Sequence, residues 1–410
     1  MVRRGNLTVF VLPVVLALLA SPAAAQDLRA EAERGAPAAQ RQLGMAYLDG
    51  QGVAPNATEA ARWLVRAAEQ GDQEAANQLG NLFAAGNGVA RDEARAVQLF
   101  EQAGTMGHAR GRFNAGLAYA TGRGVARDEA RAAYWFGEAA RIDDPATLMA
   151  LANLRERGGP LPADPVEAQR LYRRAAGLGH APAQYRLALG LANGSIGARD
   201  PAAAFAQMKS LAQNGYEDAM VSLGDMHAAG LGTAENLGEA VSWYRRAAER
   251  GNAGAQLKFG NAYFTGTGVE RDLPAALGWY QRAARQGDAE AMYLLGIFHA
   301  GGVAGPRQPQ EAYKWFSLAQ ARGFRRAADV RKSMEQQLSA TERRAAEAAA
   351  AAFVPVMERA GAMSSPAAFA PTTAPAPAQP AQPPARTIGV PAPTPAAPSP
   401  GGIPLQLHQR

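Results

Sequence analysis

The stretch from Ala255 to Gly287, AQLKFGNAYFTGTGVERDLPAALGWYQRAARQG, decides the fold because it recurs. Stepping by 36 residues finds another version of it each time, through eight units with no insertion or deletion. Glycine stands at Gly50, Gly86, Gly122, Gly158, Gly194, Gly230, Gly266 and Gly302. Alanine stands at Ala60, Ala96, Ala132, Ala168, Ala204, Ala240, Ala276 and Ala312. Other columns drift but keep their type. One is apolar (Leu43, Leu79, Ala115, Leu151, Leu187, Leu223, Phe259, Leu295) and one is short and polar (Asn56, Asp92, Asp128, Asp164, Asp200, Asn236, Asp272, then Gln308). A third is mostly bulky: Trp63, Leu99, Trp135, Leu171, Gln207, Trp243, Trp279, Trp315. A period of this size marks a repeat array, not the two or three domains that 410 residues would otherwise suggest.

Each unit reads as two short helices. In the first, helix A runs from Pro37 to Asp49, with Ala39, Leu43, Gly44, Ala46 and Tyr47 at helical spacing. Gly50 ends it, because glycine takes the left-handed conformation without strain. The Asn or Asp column then offers a side-chain oxygen to the free N–H groups that open helix B. Helix B carries Ala60, Trp63, Leu64, Ala67 and Ala68 on one face and ends before Gly71; Asp72, Asn252 and Asp288 suit the cap of the following helix A. The Gly44 and Ala60 columns mark close helix contact. Helices of about 12 residues are marginal alone, so each unit leans on its neighbours. The expected fold is all-α: a right-handed α-solenoid of about eight 36-residue helix-turn-helix repeats.

The pattern Ala-x-x-x-Leu-Gly-x-x-Tyr-x-x-Gly-x-Gly-Val-x-x-Asp-x-x-x-Ala-x-x-Trp-Tyr-x-x-Ala-Ala-x-x-Gly resembles the Sel1-like repeat, a relative of the tetratricopeptide repeat. The seventh unit follows it nearly throughout, with Phe259 in place of Leu. The resemblance covers about Ala39 to Gly323. It implies an interaction module, and exported members of this family resemble regulators of envelope signalling receptors. The fourth and fifth units depart from the pattern: Ala152 and Ala188 replace the helix A glycine, Pro160 and Ile196 the second loop glycine, and Gln207 the aromatic. They read either as drift or as a specialised segment.

The ends differ from the middle. Arg3 and Arg4, an apolar run from Val9 to Ala20, and Ala23-Ala24-Ala25 read as a signal peptide, residues 1–25, cleaved after Ala25. That run is too short for a membrane span of about 20 residues, and no later stretch suffices. Residues 26–35 read as an N-terminal capping helix, 36–323 as the eight repeats and 324–360 as C-terminal capping helices. Thirteen of the 27 prolines fall in residues 361–410, so that tail is expected to be disordered with polyproline II character. With no cysteine, the chain is neither a disulfide scaffold nor a lipoprotein anchored through an N-terminal cysteine.

No chemistry emerges from the motifs. Gly86-Asn-Gly88 and its counterparts lie between two helices and recur as turn glycines, so they do not cradle a phosphate. None of the five histidines has metal-ligand spacing, and no nucleophile motif occurs. The expectation is therefore no enzyme, no catalytic residue, no metal and no cofactor. Some cysteine-rich Sel1-like proteins are associated with β-lactams, which leaves a β-lactam-hydrolysing enzyme as a remote alternative. The net charge of +6 is mild and acidic residues intersperse the Arg-rich helix B positions, so no nucleic-acid partner is expected.

A protein partner is. In two-helix solenoids the A helices line the concave face, and two columns flank their buried stripe. One contains Asn81, Asn153, Asp225 and Asn261; its neighbour contains Asn114, Arg186 and Lys258. Both vary in chemistry while the core columns stay fixed, as a recognition surface would. The chain is thus read as a periplasmic or secreted scaffold or adaptor, binding an envelope protein or the extracytoplasmic domain of a receptor. The alternative is a cell-wall or envelope-assembly factor tethered by its Pro-rich tail. The oligomeric state is left open.

Overall fold

The computed structural model describes residues 22–357 apart from 196 and 197. Among these there are nineteen helices and no strand, and no helix is long and apolar enough to cross a membrane. The predicted tail, 361–410, lies outside the described residues. So does the predicted leader up to residue 21; its last residues, 22–25, open the first helix.

The chain forms two compact units that divide after Leu187, inside the fifth repeat. The first contains α1 (Pro22–Glu33), α2 (Pro37–Asp49), α3 (Ala57–Glu69), α4 (Gln73–Ala85) and α5 (Glu93–Thr105). It continues with α6 (Ala109–Thr121), α7 (Glu129–Ala140), α8 (Pro145–Arg157), α9 (Pro165–Gly177) and the start of α10 (Ala181–Asn193). The second holds the rest of α10, then α11 (Pro201–Gln213), α12 (Glu217–Ala229), α13 (Leu237–Glu249), α14 (Ala253–Thr265) and α15 (Leu273–Arg285). It ends with α16 (Ala289–Gly301), α17 (Pro309–Ala321), α18 (Ala327–Glu335) and α19 (Ala340–Ala351). Even-numbered helices from α2 to α16 are A helices, and odd-numbered ones from α3 to α17 are B helices.

Local chemistry sets these boundaries. Asn56, Asp92, Asp128, Asp164, Asp200, Asn236 and Asp272 each accept a backbone N–H in the first turn of a B helix. Such caps contribute about 1 kcal/mol each. Gln308, the longer residue in that column, makes no such bond. Gly50, Gly86, Gly122, Gly230, Gly266 and Gly302 close their A helices in the left-handed conformation.

The packing inside a repeat turns on the helix A glycine. A Cβ added at Gly260 would lie 2.7 Å from Tyr280 Cε1, and one at Gly44 would lie 2.9 Å from Leu64 Cγ. The bulky partner is therefore the residue after the Trp column: Leu64, Phe100, Phe136, Tyr172, Met208, Tyr244, Tyr280 and Phe316. All eight are buried. Burying a side chain of this size contributes about 1.5–3 kcal/mol.

A second period, of 72 residues, runs under the first. Gln40, Arg112, Gln184 and Gln256 alternate with Ala76, Leu148, Met220 and Met292 at one A-helix position. Each polar member donates to a carbonyl eight residues earlier, in the last turn of the preceding helix: Ala32 (3.1 Å), Gly104 (2.8 Å), Ala176 (3.0 Å) and Ala248 (3.2 Å). Each of those carbonyls also accepts the N–H of the turn glycine three residues on (Gly35, Gly107, Gly179 and Gly251), so the side chain is a further donor. Alternate repeat junctions are thus sealed by a side-chain hydrogen bond and by apolar contact.

At the C-terminal end, α18 is short, and Arg331 stands in the apolar column of the A helices. Its guanidinium donates to Tyr313 Oη (2.7 Å) and Gln320 Oε1 (2.8 Å). After α19 the chain turns back. Phe353 packs edge-on against Trp315 at 5.8 Å, Arg322 lies over its ring, and Val356 N–H donates to Arg285 O at 2.9 Å.

Candidate functional site

The A-helix residue that follows the packing glycine belongs to the first predicted column. In the sixth repeat Asp225 Oδ1 accepts from Tyr244 Oη at 2.6 Å, and in the seventh Asn261 Oδ1 accepts from Tyr280 Oη at 2.7 Å. In the fourth, Tyr172 Oη lies 2.8 Å from Asn153 Oδ1 and from Glu156 Oε2, one proton between two acceptors. The three tyrosines are buried, while the Asn153, Asp225 and Asn261 side chains that they bond are half-buried or exposed. Burial raises all three phenol pKa values; Glu156 reinforces the effect at Tyr172 and Asp225 does so at Tyr244. The phenols therefore stay protonated as donors. Aspartate can only accept, which fixes the direction of the bond at Asp225, and Asn261 in the same geometry presents its amide nitrogen away from the phenol.

Where the B helix lacks tyrosine, the A-helix partner changes with it. Met45 goes with Leu64, Leu117 with Phe136, Leu189 with Met208 and Ile297 with Phe316. The exception is Asn81, opposite Phe100. Its nitrogen donates to Gln78 Oε1 (3.3 Å), while its buried Oδ1 has no partner.

The second column links neighbouring repeats. Arg186 pairs with Glu156, and Lys258 Nζ lies 2.9 Å from Asp225 Oδ1; both cations are 40% exposed. Asn114 departs from expectation. It is 4% exposed, and its amide donates to the buried Asn77 Oδ1 at 2.9 Å. A two-carbon side chain on that column does not clear the neighbouring helix, whereas the longer Arg186 and Lys258 do.

Sequence reasoning passed over Glu74. Its carboxylate accepts from Gln78 Nε2 (2.8 Å) and from His108 Nε2 (2.9 Å). His108 Nδ1 meanwhile accepts Gly111 N–H and caps α6, so the tautomer carries its proton on Nε2. The His108 bond outweighs burial and holds the Glu74 pKa down at about 2. Burial lowers the pKa of His180, His227 and His299. Among the described residues no cluster of His, Asp and Glu could hold a metal ion.

The sites divide between the two units. Asn81, Asn114, Asn153 and Arg186 lie in the first, and Asp225, Lys258 and Asn261 in the second. Hydrogen-bonded or ion-paired side chains that are not buried stand on α8 and α10 in the first unit and on α12 and α14 in the second.

A model of the Sel1 repeat matches residues 37–72, 73–108, 109–144, 145–180, 181–216, 217–252, 253–288 and 289–324. Among solved structures, the chain is similar to a Sel1 repeat protein from Oxalobacter formigenes. Identity is 30% over 75% of this chain and 89% of that one, with a TM-score of 0.56. It is also similar to a protective antigen present in uropathogenic Escherichia coli strains displaying an SLR fold (27% identity, 81% and 79% covered, TM-score 0.40). A third likeness is to an immunity protein from Pseudomonas aeruginosa (21% identity, 52% and 82% covered, TM-score 0.36). Comparison with curated protein sequences found no match.

Proposed function

The chain belongs to the Sel1 repeat family, and from that premise we propose that it is an exported scaffold that grips a protein partner with its A helices. Sel1 repeat proteins are generally non-catalytic and mediate protein–protein interaction. The observation that supports this reading most is the tyrosine-to-Asx bond in the fourth, sixth and seventh repeats. It orients a polar side chain at the surface from a buried ring. Groups held this way lose little freedom on binding, which favours affinity.

In the first unit Asn153 and Arg186 contact the partner, and in the second Asp225, Lys258 and Asn261 do so. Asn81 lies on the same face. Asn114 supports the frame from within. The partner is an envelope protein or the extracytoplasmic domain of a receptor, met in the periplasm after cleavage behind Ala25.

The test is capture of crosslinked partners from the native periplasm, identified by mass spectrometry. The wild-type chain is compared with one carrying Asn153→Ala, Arg186→Ala and Lys258→Ala. Loss of specific partners is expected, and an unchanged set of partners rejects the reading. The same preparation reports the mature N-terminus, expected at Gln26. The proline-rich composition of residues 361–410 favours one further role, as a tether. Deleting the segment after Gly361 would then release the protein from the envelope with partner binding intact.

A further inference from the structure

The C-terminal ends of the B helices carry a different charge pattern in each unit. In the second unit, the last seven residues and the C-cap of α11, α13, α15 and α17 hold seven basic side chains and one acidic, Glu249. Six of the seven are exposed, among them Lys209, Arg245, Arg285 and Arg322. The same stretches of α3, α5, α7 and α9 in the first unit hold four basic and three acidic residues, so the excess belongs to the second unit alone. The basic ends stand side by side. Arg250, the cap of α13, donates to Gly215 O after α11 (3.1 Å), and Gln286, the cap of α15, donates to Gly251 O after α13 (2.8 Å). A Cβ at Gly287 would lie 3.3 Å from Arg322 Nε, so the cap of α17 continues the row. Past that cap, Arg325 and Arg326 are matched in number by Asp288 and Glu290 at the start of α16.

The segment that follows α19 lies on the same row. Val356 N–H donates to Arg285 O at 2.9 Å, and the Arg322 guanidinium lies over the Phe353 ring, 5.5 Å from its centroid. Phe353 anchors the segment, and the apolar side chains after it face water. Val354, Val356 and Met357 are 75%, 66% and 66% exposed. They are three of the seven large apolar side chains exposed in the described chain, gathered within four positions. Single exposed apolar residues are ordinary, whereas a group of them beside a row of cations marks a contact surface.

We propose that this edge of the second unit rests on the surface of an anionic lipid bilayer. The basic side chains meet the headgroups, and Val354, Val356 and Met357 enter the boundary with the acyl chains, about 5–10 Å deep. Charge complementarity selects an anionic surface, since each Lys or Arg near one strengthens binding about fivefold. The apolar group selects lipid over a soluble acidic partner, which would neutralise the cations and leave the three side chains in water. The contact uses no residue of the two A-helix columns, so those stay free.

The test is co-flotation of the full chain with vesicles of phosphatidylcholine alone or of phosphatidylcholine with about 30% phosphatidylglycerol. Binding to the anionic vesicles only is expected, weakening as salt is raised from about 0.05 to about 0.5 M. Lys209→Gln, Arg245→Gln and Arg285→Gln together should weaken binding about fivefold for each charge removed. Val354→Ser, Val356→Ser and Met357→Ser together should weaken it roughly tenfold or more. The serine changes leave Phe353 and the backbone bond to Arg285 O in place. No flotation with the anionic vesicles, equal flotation with the neutral ones, or binding that the serine changes leave intact overturns the proposal. The last of these outcomes assigns the basic row to a soluble acidic partner instead. If circular dichroism finds a variant unfolded, the wild-type comparison of the two vesicle types decides alone.

Discussion

Tyr244 Oη donates to Asp225 Oδ1 at 2.6 Å, tying the inner ring of a B helix to the outer edge of its own A helix. Lys258, one repeat on, approaches the same oxygen at 2.9 Å. The two contacts lock both the tilt of the side chain and the register of adjacent repeats. Tyr244→Phe should cost about 1 kcal/mol, since Asp225 is half exposed and water replaces part of the bond. Urea unfolding of the variant measures this. Adding Asp225→Leu should recover part of the loss, because Leu117 and Phe136 already form such an apolar pair.

Asn81 and Phe100 are the mismatched pair in this arrangement. Phe100→Tyr should place a hydroxyl opposite the orphaned Asn81 Oδ1, as Tyr280 does for Asn261. A gain of about 1 kcal/mol is expected, visible as a raised melting temperature. In an Asn81→Leu background the same change should lose that gain. A double-mutant cycle separates the two.

The 72-residue period makes a prediction about substitution in pairs. Gln256 donates to Ala248 O and accepts from Gln286 Nε2 at 2.9 Å. Gln256→Met should cost about 1 kcal/mol, since both bonds are lost while Ala248 O keeps the Gly251 N–H and Gln286 Nε2 keeps Gly251 O. Met220 and Met292 occupy the same position beside Arg250 and Arg322. Gln286→Arg should therefore lessen the cost, because Arg250 Nη1 already donates to Gly215 O just as Gln286 does to Gly251 O. Denaturant midpoints of the single and double variants test the pair.

Glu74 gives the chain an acid-sensitive contact. Its folded pKa of about 2 lies below the ordinary 4.5. Its stabilising effect is thus complete above about pH 4.5 and is lost as pH falls toward 2. Glu74→Gln should be less stable than wild type at pH 6, with the gap closing by pH 2. Unfolding curves at pH 6, 4, 3 and 2 would show the convergence, and a gap independent of pH would contradict it.

Gly260→Ala should destabilise the seventh repeat by about 1–3 kcal/mol, as its Cβ would approach Tyr280 Cε1 to 2.7 Å. Hydrogen exchange should rise first in α14 and α15, the helices that the contact joins.

The period, the caps and the turn glycines were legible because each acts within one short segment of chain. The Gly44 and Ala60 columns are legible as the close contact, whereas the ring or branched side chain that fills the space over the glycine (Leu64, Tyr280) shows only in the packing. Asn114 and Asn81 were read as surface groups because a column was treated as having one environment. In fact the environment depends on a second column: Asn77 for Asn114 and Phe100 for Asn81. The tyrosine pairing could have been found by comparing positions nineteen apart, where Tyr172, Tyr244 and Tyr280 track Asn153, Asp225 and Asn261. Glu74 carried no such signal, because its role depends on a histidine that caps the next A helix.

The return of the chain from Phe353 to Val356 bears on where this protein can be cut. A shortened form ending at Ala351 would stop at a natural helix boundary, yet it would uncover Trp315 and leave Arg285 O without its donor. Trimming by a protease at that point would expose a tryptophan-lined patch and invite self-association. The smallest well-behaved fragment should therefore extend to Met357, six residues past the last helix.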